Sequence, residues 1–386
     1  MGPSSQPKKK NNHFVPKSYL KRFCPDDGKQ IALYNIAANL IIPQAPIKNQ
    51  CSRDYFYTKN AIFEDAFGDI EGDQKALLDE ILRTEHAPSI GTMEHARLMS
   101  GIMFQRGRTV AAAQQTDELA GLFGKAILKK QFEKDGRDDL LSYLPQVTLS
   151  VHDAVMDSIF EHLPMAPLIG DMLCTLLLNR TPEDFLTSDH PVVLCNSLPP
   201  RHSSTTVGFA SRGLIVLYPI SPRALLFLSD REVYKVLGNN FGAVEVCSTR
   251  DVVEINLGQF GNAVQNVYFN NAKSVTRSLS AFRKRSKTVR RPERELTETP
   301  TVLPDGRRAI ELKQIREAPR LALPKAVSVR RAARVERYEV GNESVRDPLR
   351  TSLVMTELKR LVALRDSASE GSARRVNIDM QKAAPD

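Results

Sequence analysis

The stretch DMLCTLLLNRTPEDFLTSDHPVVLCN, residues 171–196, decides the fold class, because the apolar pattern of the chain changes there. From this point the apolar residues come in short runs bounded by Pro, Ser, Asp and Asn, which is typical of strands separated by turns. The runs lie at Met172–Leu178, Phe185–Thr187, Val192–Cys195, Leu214–Tyr218 and Ala224–Leu228, the last two joined by the turn sequence PISP. They predict a small, mostly antiparallel sheet built largely after Met172. Asp251–Ala263 is ambiguous, and we favour a helix after Asn256.

Upstream of this stretch the apolar residues recur at spacings of three and four, which indicates helices that pack by one face. A first helix is predicted from Asn60 to His86, and a second begins near Thr92, whose side chain suits an N-cap. Further helices are predicted over Thr116–Phe132 and His152–His162, whereas KQIALYNIAANLIIPQ (residues 29–44) predicts a β-hairpin. The fold class is therefore α+β, with a helical N-terminal half packed on the sheet.

Charge divides the chain into two unlike pieces. Residues 1–280 carry 29 Lys and Arg against 30 Asp and Glu, whereas residues 281–386 carry 25 against 15 and only two aromatic residues. We predict a disordered N-terminus over residues 1–12, an α+β domain over 13–280, and a basic, Arg-rich, partly disordered extension over 281–386. The extension should begin with a basic linker, and then contain a hairpin about Pro304-Asp305-Gly306 and an amphipathic helix capped by Asp347.

The basic extension is the part of the chain most suited to a polyanion. Arg-rich sequence with few aromatic residues can neutralise phosphates without reading bases. We therefore expect nucleic acid or another polyanion as a partner through residues 281–386. A solubilising extension, or a small helical appendage docked on the body, is the alternative. The helix over residues 348–365 could also meet a protein partner.

Membrane insertion and secretion are not expected. The longest apolar runs fall far short of the roughly 20 residues that span a bilayer, and no apolar segment follows the basic run near the N-terminus. The five cysteines lack the CxxC or CxxH spacing of a structural zinc site. We expect a cytoplasmic protein with reduced thiols.

The segment FQRGRT (residues 104–109) places polar side chains on an apolar helix face. Leu98, Ile102 and Gln105 recur at helical spacing, and Arg108 lies three residues further on. Such buried groups demand partners, since an unpaired polar group costs about 1–3 kcal/mol. Gln105 and Arg108 could clamp a phosphate or carboxylate, or they could form an internal network that ties helices together.

Acidic and imidazole side chains supply the other candidates. Glu64 and Glu71 share a helix face, and paired carboxylates can hold Mg²⁺ or act in acid–base catalysis, although solvated acids on an exposed face are the alternative. In the loop TSDHP, Asp189 and His190 either form a turn or face a cleft at a strand end. His13 could be a base or a ligand, or a purely structural histidine.

Several of these segments together resemble a known family. HFVPKSYLKRF (His13–Phe23), QRGRT (Gln105–Thr109), LTSDHPVV (Leu186–Val193) and YPISP (Tyr218–Pro222) occur in this order. The set is similar to the DUF4238 family, found largely in bacteria, whose members share H-x-x-P-x-x-Y-L-x-x-F, Q-x-x-R-T and T-S-D-x-P. The resemblance covers roughly residues 12–270. It implies a shared domain and no particular activity.

The resemblance also raises the expectation that the polar residues of these segments converge: His13, Glu71, Gln105, Arg108 and Asp189. Our leading hypothesis is a metal-dependent phosphodiesterase or nuclease acting on nucleic acid, with His13 as general base. Glu71 and Asp189 would also be catalytic, as ligands of Mg²⁺ or Mn²⁺. Gln105, Arg108 and His190 would bind the substrate. The alternative is a non-catalytic protein that binds nucleic acid or senses a small anionic ligand.

Overall fold

The structure is a computed structural model. It describes residues 11–25, 28–57, 61–198, 207–238, 242–289, 295–302, 308–315, 321–335, 345–368 and 377–380.

Nine α-helices lie within these described ranges: α1 Lys17–Leu20, α2 Ala61–Thr84, α3 Met93–Gly107, α4 Val110–Lys134, α5 Ala154–His162, α6 Thr249–Asn262, α7 Thr276–Val289, α8 Arg331–Val335 and α9 Pro348–Ala368. Short 3₁₀ helices cover Lys21–Phe23, Ile47–Asn49, Asp138–Gln146, Leu163–Ile169 and Ala272–Val275.

The strands of the described residues are mostly short: β1 Asn11–His13, β2 Gln30–Asn35, β3 Leu40–Pro46, β4 Ser52–Asp54, β5 Val147–Ser150, β6 Leu173–Asn179, β7 Thr187–Ser188, β8 Val193–Asn196, β9 Leu214–Ser221, β10 Ala224–Ser229, β11 Tyr234–Val236, β12 Ala243–Val246, β13 Asn266–Phe269, β14 Glu295–Val302, β15 Arg308–Ile315, β16 Val327–Val329 and β17 Asn377–Met380.

Two sheets form the centre of the α+β fold. The larger has five strands in the order β12-β6-β10-β9-β8, in which every pair is antiparallel except β12 with β6. The second sheet has four antiparallel strands in the order β3-β2-β13-β7. The larger sheet confirms the sheet predicted after Met172. The predicted N-terminal hairpin, β2–β3, is also confirmed, but it joins a separate sheet with β13 and with β7, which comes from the predicted run Phe185–Thr187.

The five-stranded sheet is buried on both faces, which explains its continuous apolar runs. Leu176 and Leu226 point into a core with Leu98 and Ile102 of α3. The residues next to them in sequence point to the opposite face of the sheet, into a second core with helices α6 and α7. These residues are Leu177, Leu225 and Phe227. The sheet is therefore a middle layer between two layers of helices.

Among the described residues, no helix is long and apolar enough to cross a membrane.

Several predicted helices are confirmed, with boundaries set by caps. The Thr92 side chain accepts a hydrogen bond from the His95 N–H and starts α3 as predicted. Helix α4 begins at Val110, earlier than Thr116, because Thr109 accepts from the Ala112 N–H and caps it. Helix α6 likewise begins at Thr249, before the position favoured from sequence.

Helix α7 runs across the domain boundary predicted after residue 280. The segment RKRSKTV, predicted as linker, is the second half of that helix. Phe282 is buried and stacks on Phe260 with ring centroids 4.4 Å apart. Leu321 and Val327, further into the predicted extension, are buried in the same core. In α7, most of the charged side chains lie on the outward face, and the inward face completes the core of the body.

The termini depart from the predicted disorder where the structure describes them. Asn11 and Asn12 pair with β4, so order begins before residue 13. Strand β17 pairs with β5. The predicted hairpin is present as β14–β15, and its turn residues lie outside the described ranges. Asp347 accepts from the Arg350 N–H at 2.9 Å, which confirms the predicted cap of α9. Arg346 anchors this helix by its ion pair with Asp171 at 2.7 Å.

We expect Gly261→Ala to destabilise the protein by about 1–3 kcal/mol, because added core volume forces backbone shifts. A Cβ at this position of α6 would lie 2.4 Å from the carbonyl oxygen of Val289, which is backbone and cannot rotate away. Gly72→Ala on α2 is the matched control, since its Cβ would meet no atom within 4 Å. It should stabilise by roughly 0.5–1 kcal/mol. Urea unfolding of both variants tests this, and equal midpoints would contradict close packing of α6 on α7.

Candidate functional site

Four polar side chains enter the core where α3 ends and α4 begins. Gln105, Arg106, Arg108 and Thr109 are each at most 4% exposed. Arg108 is the C-cap of α3, and Thr109 caps α4 one residue later. This tight junction between two helices turns consecutive side chains in different directions, so that one segment reaches two distant parts of the chain.

On one side, the junction binds the backbone of the N-terminal segment. Gln105 Nε2 donates to the carbonyl of Phe14 at 3.1 Å, and Arg108 Nη2 donates to the carbonyl of His13 at 2.6 Å. The Tyr57 hydroxyl donates to the same His13 carbonyl at 2.9 Å and accepts from Arg108 Nε at 2.7 Å. Gln105 and Arg108 thereby hold the bend that leads from β1 into α1.

Arg108 also forms an ion pair with Glu71 of α2. Their Nη2 and Oε1 atoms are 2.5 Å apart, and the side chain of Arg108 is 1% exposed against 33% for Glu71. The guanidinium lies over the Phe104 ring, 4.7 Å from its centroid. Burial alone would lower the pKa of Arg108, but Tyr57 and Glu71 outweigh it and raise that pKa. Burial raises the pKa of the Tyr57 hydroxyl, so this residue stays neutral.

A cleft of about 320 Å³ opens beside this ion pair. One wall comes from β1 and the start of α1, and the other from α2. Its charged and imidazole side chains are His13, Lys17, Glu64, Asp65, Glu71 and Arg108. The cation Lys17 therefore lies on one wall and the carboxylates on the other, with the Arg108–Glu71 pair between them. The arrangement suits a ligand that carries an anionic group together with hydroxyl or amino groups.

His13 is the least satisfied polar side chain of the cleft. Within the described residues, both its ring nitrogens are shielded from solvent and make no well-formed hydrogen bond, and the backbone of Gln50 offers only a weak one. Burial and then the charge of Lys17 lower the pKa of His13 to about 4, with Arg108 adding to the effect and the backbone at Gln50 opposing it. The imidazole is therefore neutral at physiological pH and can accept a proton.

The junction binds the TSDHP loop on its other side. His190 lies between Arg106 Nη1, 3.2 Å from Nε2, and Thr109 Oγ1, 2.6 Å from Nδ1. Because a guanidinium can only donate, Nε2 accepts and Nδ1 donates, which fixes a neutral tautomer. Arg106 also donates to the carbonyl of Val192 at 2.7 Å. His190 is fully buried, so its predicted contact with a substrate has no support in this geometry.

Asp189 is buried at a turn and is not among the residues that line the cleft. Its carboxylate accepts from the backbone N–H groups of Val264, Gln265 and Asn266 at 2.7–3.1 Å. The structure thus brings His13, Glu71, Gln105 and Arg108 together, but not Asp189. No group of three or more His, Cys, Asp or Glu side chains suited to a metal occurs in the part of the chain that the structure describes.

Sequence reasoning missed Arg106, Tyr57 and the polar face of α6. Helix α3 is apolar on several sides, with Leu98, Met99, Ile102 and Met103 all buried, and this pattern was the signal that Arg106 is buried too. On α6, three amides bind the backbone around the TSDHP loop: Asn256 to Asp184, Gln259 to Pro191, and Asn262 to Val192. The sequence around Tyr57 carries no comparable signal.

Comparison with known proteins gives one match. The sequence model of a family described as Protein of unknown function (DUF4238) matches residues 11–273. The matched range begins at β1 and ends before α7, so it includes the cleft and both partners of the helix junction. No curated protein and no solved structure matches the chain.

Glu71→Gln should destabilise the protein by about 1–2 kcal/mol, because the Arg108 charge stays buried without a counterion. The loss is smaller than for a fully unpaired buried charge, because Arg108 still donates hydrogen bonds to the Tyr57 hydroxyl and the His13 carbonyl. Asp73→Asn, two residues away on α2, removes an exposed pair with Arg97 and should cost less than about 1 kcal/mol. Denaturant unfolding compares the two, and an equal loss would show that burial of the Arg108 pair contributes nothing.

Stability should also depend on His13 between about pH 6.5 and pH 4. The pKa of His13 is lower folded than unfolded, so the unfolded chain binds the proton more readily and stability falls as the pH drops through this range. His13→Asn lacks this effect. The stability of the wild type relative to this variant should therefore decrease on going from neutral pH to about pH 4.5. Parallel losses in thermal or urea unfolding would contradict the depressed pKa.

Proposed function

Because the chain belongs to the DUF4238 family, whose function is unknown, we propose a function from its cleft: hydrolysis of a phosphoester bond with His13 as general base. The observation that carries the proposal is the imidazole of His13. It lines the cleft, its ring nitrogens make no well-formed hydrogen bond within the described residues, and its lowered pKa keeps it neutral. Unsatisfied buried polar groups are costly, and a functional group is one of the recognised reasons for keeping one.

Two cations beside His13 supply the anion-binding half of the site. Lys17 is exposed at the cleft and makes no ion pair with the described part of the chain. Arg108 uses Nε and Nη2 for Tyr57, His13 and Glu71. Its Nη1 group makes no hydrogen bond within the described ranges, and this leaves it as the donor for a phosphate oxygen. Charge-assisted bonds of this kind are among the stronger ones in proteins.

In the proposed step, the substrate and a water molecule enter the cleft, the imidazole of His13 turns towards them, and it accepts a proton from the water as the water oxygen attacks phosphorus. The bond from phosphorus to the leaving oxygen breaks, and that oxygen takes a proton from solvent. Lys17 and Arg108 stabilise the charge on the equatorial oxygens. After release of the product phosphate, His13 returns its proton to solvent, which its low pKa favours.

The other predicted site residues receive different roles in this proposal. Glu71 holds and neutralises Arg108, and Gln105 positions the backbone next to His13. Asp189 and His190 hold the TSDHP loop. The step above does not use Mg²⁺ or Mn²⁺, because Asp189 is committed to backbone N–H groups and Glu71 to Arg108. The assay below is nevertheless run with and without each of the two metals.

A non-catalytic role for the same cleft is the second candidate. The facing cations and carboxylates favour it, since they can recognise a small anionic ligand without any chemistry. A bound ligand raises the melting temperature of the native state. Thermal shifts with nucleotides or inorganic phosphate, in the absence of turnover, would favour this role.

We expect the protein to hydrolyse an activated phosphodiester or phosphomonoester, assayed with the bis- and mono-p-nitrophenyl phosphates and with labelled oligonucleotides. Each substrate is tested with and without Mg²⁺ or Mn²⁺. His13→Asn should lower kcat by about a hundredfold or more, the usual contribution of a general base. Lys17→Gln should mainly raise KM. The rate of the wild type should stay level down to about pH 5 and fall as His13 becomes protonated near pH 4.

His152→Asn is the matched control, since His152 is exposed and does not line the cleft. Its rate should equal that of the wild type. Unchanged turnover in a folded His13→Asn variant would rule out the assigned base. Absence of turnover on every substrate, with or without metal, would leave only the binding role.

A further inference from the structure

One face of α7 is basic along its whole length and carries no carboxylate. Its exposed residues recur at spacings of three and four, so they share one side of the helix. They are Thr276, Arg277, Ser280, Arg283, Lys284, Lys287 and Thr288. We call this set the α7 basic face. It consists only of cations and hydroxyl groups.

The opposite face fixes the orientation of this helix on the body. Leu279, Phe282 and Val289 are buried in the core shared with α6. At the N-terminal end, the buried carboxylate of Glu183 accepts from the backbone N–H groups of Arg277 and Ser278 at 3.3 and 2.7 Å. The helix therefore cannot rotate to hide its cations, and the α7 basic face is held rigidly towards solvent.

The cations of this face are largely free of competing anions. Arg285, on the flank of the helix, is paired with Glu254 at 2.5 Å, and Arg283 lies over the Tyr34 ring at 5.8 Å from its centroid. Arg277, Lys284 and Lys287 make no ion pair within the residues that the structure describes. Arg277 and Lys284 are about 10 Å apart along the helix axis, at 1.5 Å per residue.

We propose that the α7 basic face binds the phosphate backbone of nucleic acid. Lys and Arg neutralise phosphates and release counterions, and Ser and Thr hydroxyls are regular donors to phosphate oxygens. The face lacks aromatic and amide side chains for stacking on bases or reading their edges, so binding is independent of sequence. The contact belongs to a rigid helix of the body and not to a separate tail.

A membrane surface and a protein partner fit this face less well. Helices that lie in a membrane interface insert apolar side chains, and the apolar residues of α7 are already buried in the core. Protein interfaces are enriched in aromatic residues and depleted in Lys, the reverse of what this face presents. Its charge and its hydroxyl groups match a regular polyanion.

The test compares two triple variants of the full chain that change the net charge equally. Arg277→Gln, Lys284→Gln and Lys287→Gln together remove three of the four cations of the α7 basic face. Lys129→Gln, Lys134→Gln and Lys235→Gln remove exposed lysines elsewhere. Binding to a labelled DNA duplex and to a single-stranded RNA is measured by anisotropy over a range of salt concentrations. All six positions are exposed, so thermal unfolding should match the wild type in both variants.

We expect the wild type to bind with a steep salt dependence. The α7 variant should lose affinity by at least about tenfold, and its log–log salt slope on the duplex should fall by about 2.7, which is 0.9 for each lost contact. The control variant should bind as the wild type does. His13→Asn should also bind normally, so loss of a cleft activity and loss of this contact can be told apart.

Several outcomes would overturn the proposal. These are no binding by the wild type, an equal loss in both triple variants, or unchanged binding when the α7 cations are removed. Vesicles containing phosphatidylserine form a separate arm. Binding to them in preference to nucleic acid, abolished in the α7 variant, would assign the face to membranes instead.

Discussion

The structure depends on the burial of two guanidinium groups at the junction of α3 and α4. A buried charge is tolerated only when its hydrogen bonds and its counterion are in place, and loss of a partner is strongly destabilising. Arg108 finds its partners in the His13 carbonyl, Tyr57 and Glu71, whereas Arg106 finds them in His190 and Val192. Arg108 therefore depends on the N-terminal segment reaching this junction, and Arg106 depends on the TSDHP loop reaching it.

This constraint explains why three short motifs, far apart in sequence, occur together. The QRGRT segment binds the HFVP backbone on one side and the TSDHP loop on the other. Tyr19 of the N-terminal motif connects this motif to the TSDHP loop and to the YPISP segment. Its hydroxyl hydrogen-bonds with Thr187 at 2.8 Å and donates to the Pro219 carbonyl at 2.5 Å. Most of these polar groups thus stabilise the fold. His13 differs, because the protein binds its backbone carbonyl and leaves its ring nitrogens without a well-formed hydrogen bond in the described residues.

The basic end of the chain also has one face directed to the core and another directed to solvent. A charge count treats residues after 280 as one block, because it sums over every side chain regardless of direction. In the helix, positions three and four apart share a face, so α7 completes the apolar core with Phe282 on one face and presents its cations on the other. A segment can therefore be integral to the body and also form a basic surface of it.

The sequence by itself determined what depends on local spacing. It predicted α2 and α3 from apolar residues at helical intervals, the strands after Met172 from short bounded runs, and the caps at Thr92 and Asp347 from their side chains. The grouping of His13 with Arg108 followed from family motifs and not from spacing. Only the tertiary structure decided the partner of each polar group. Asp189 and Glu71 are both acids near apolar elements, yet one binds three backbone N–H groups and the other binds Arg108. Periodicity is a property of neighbouring residues, whereas hydrogen-bond partners come from segments brought together by packing, and for this reason the site could be read only from the fold.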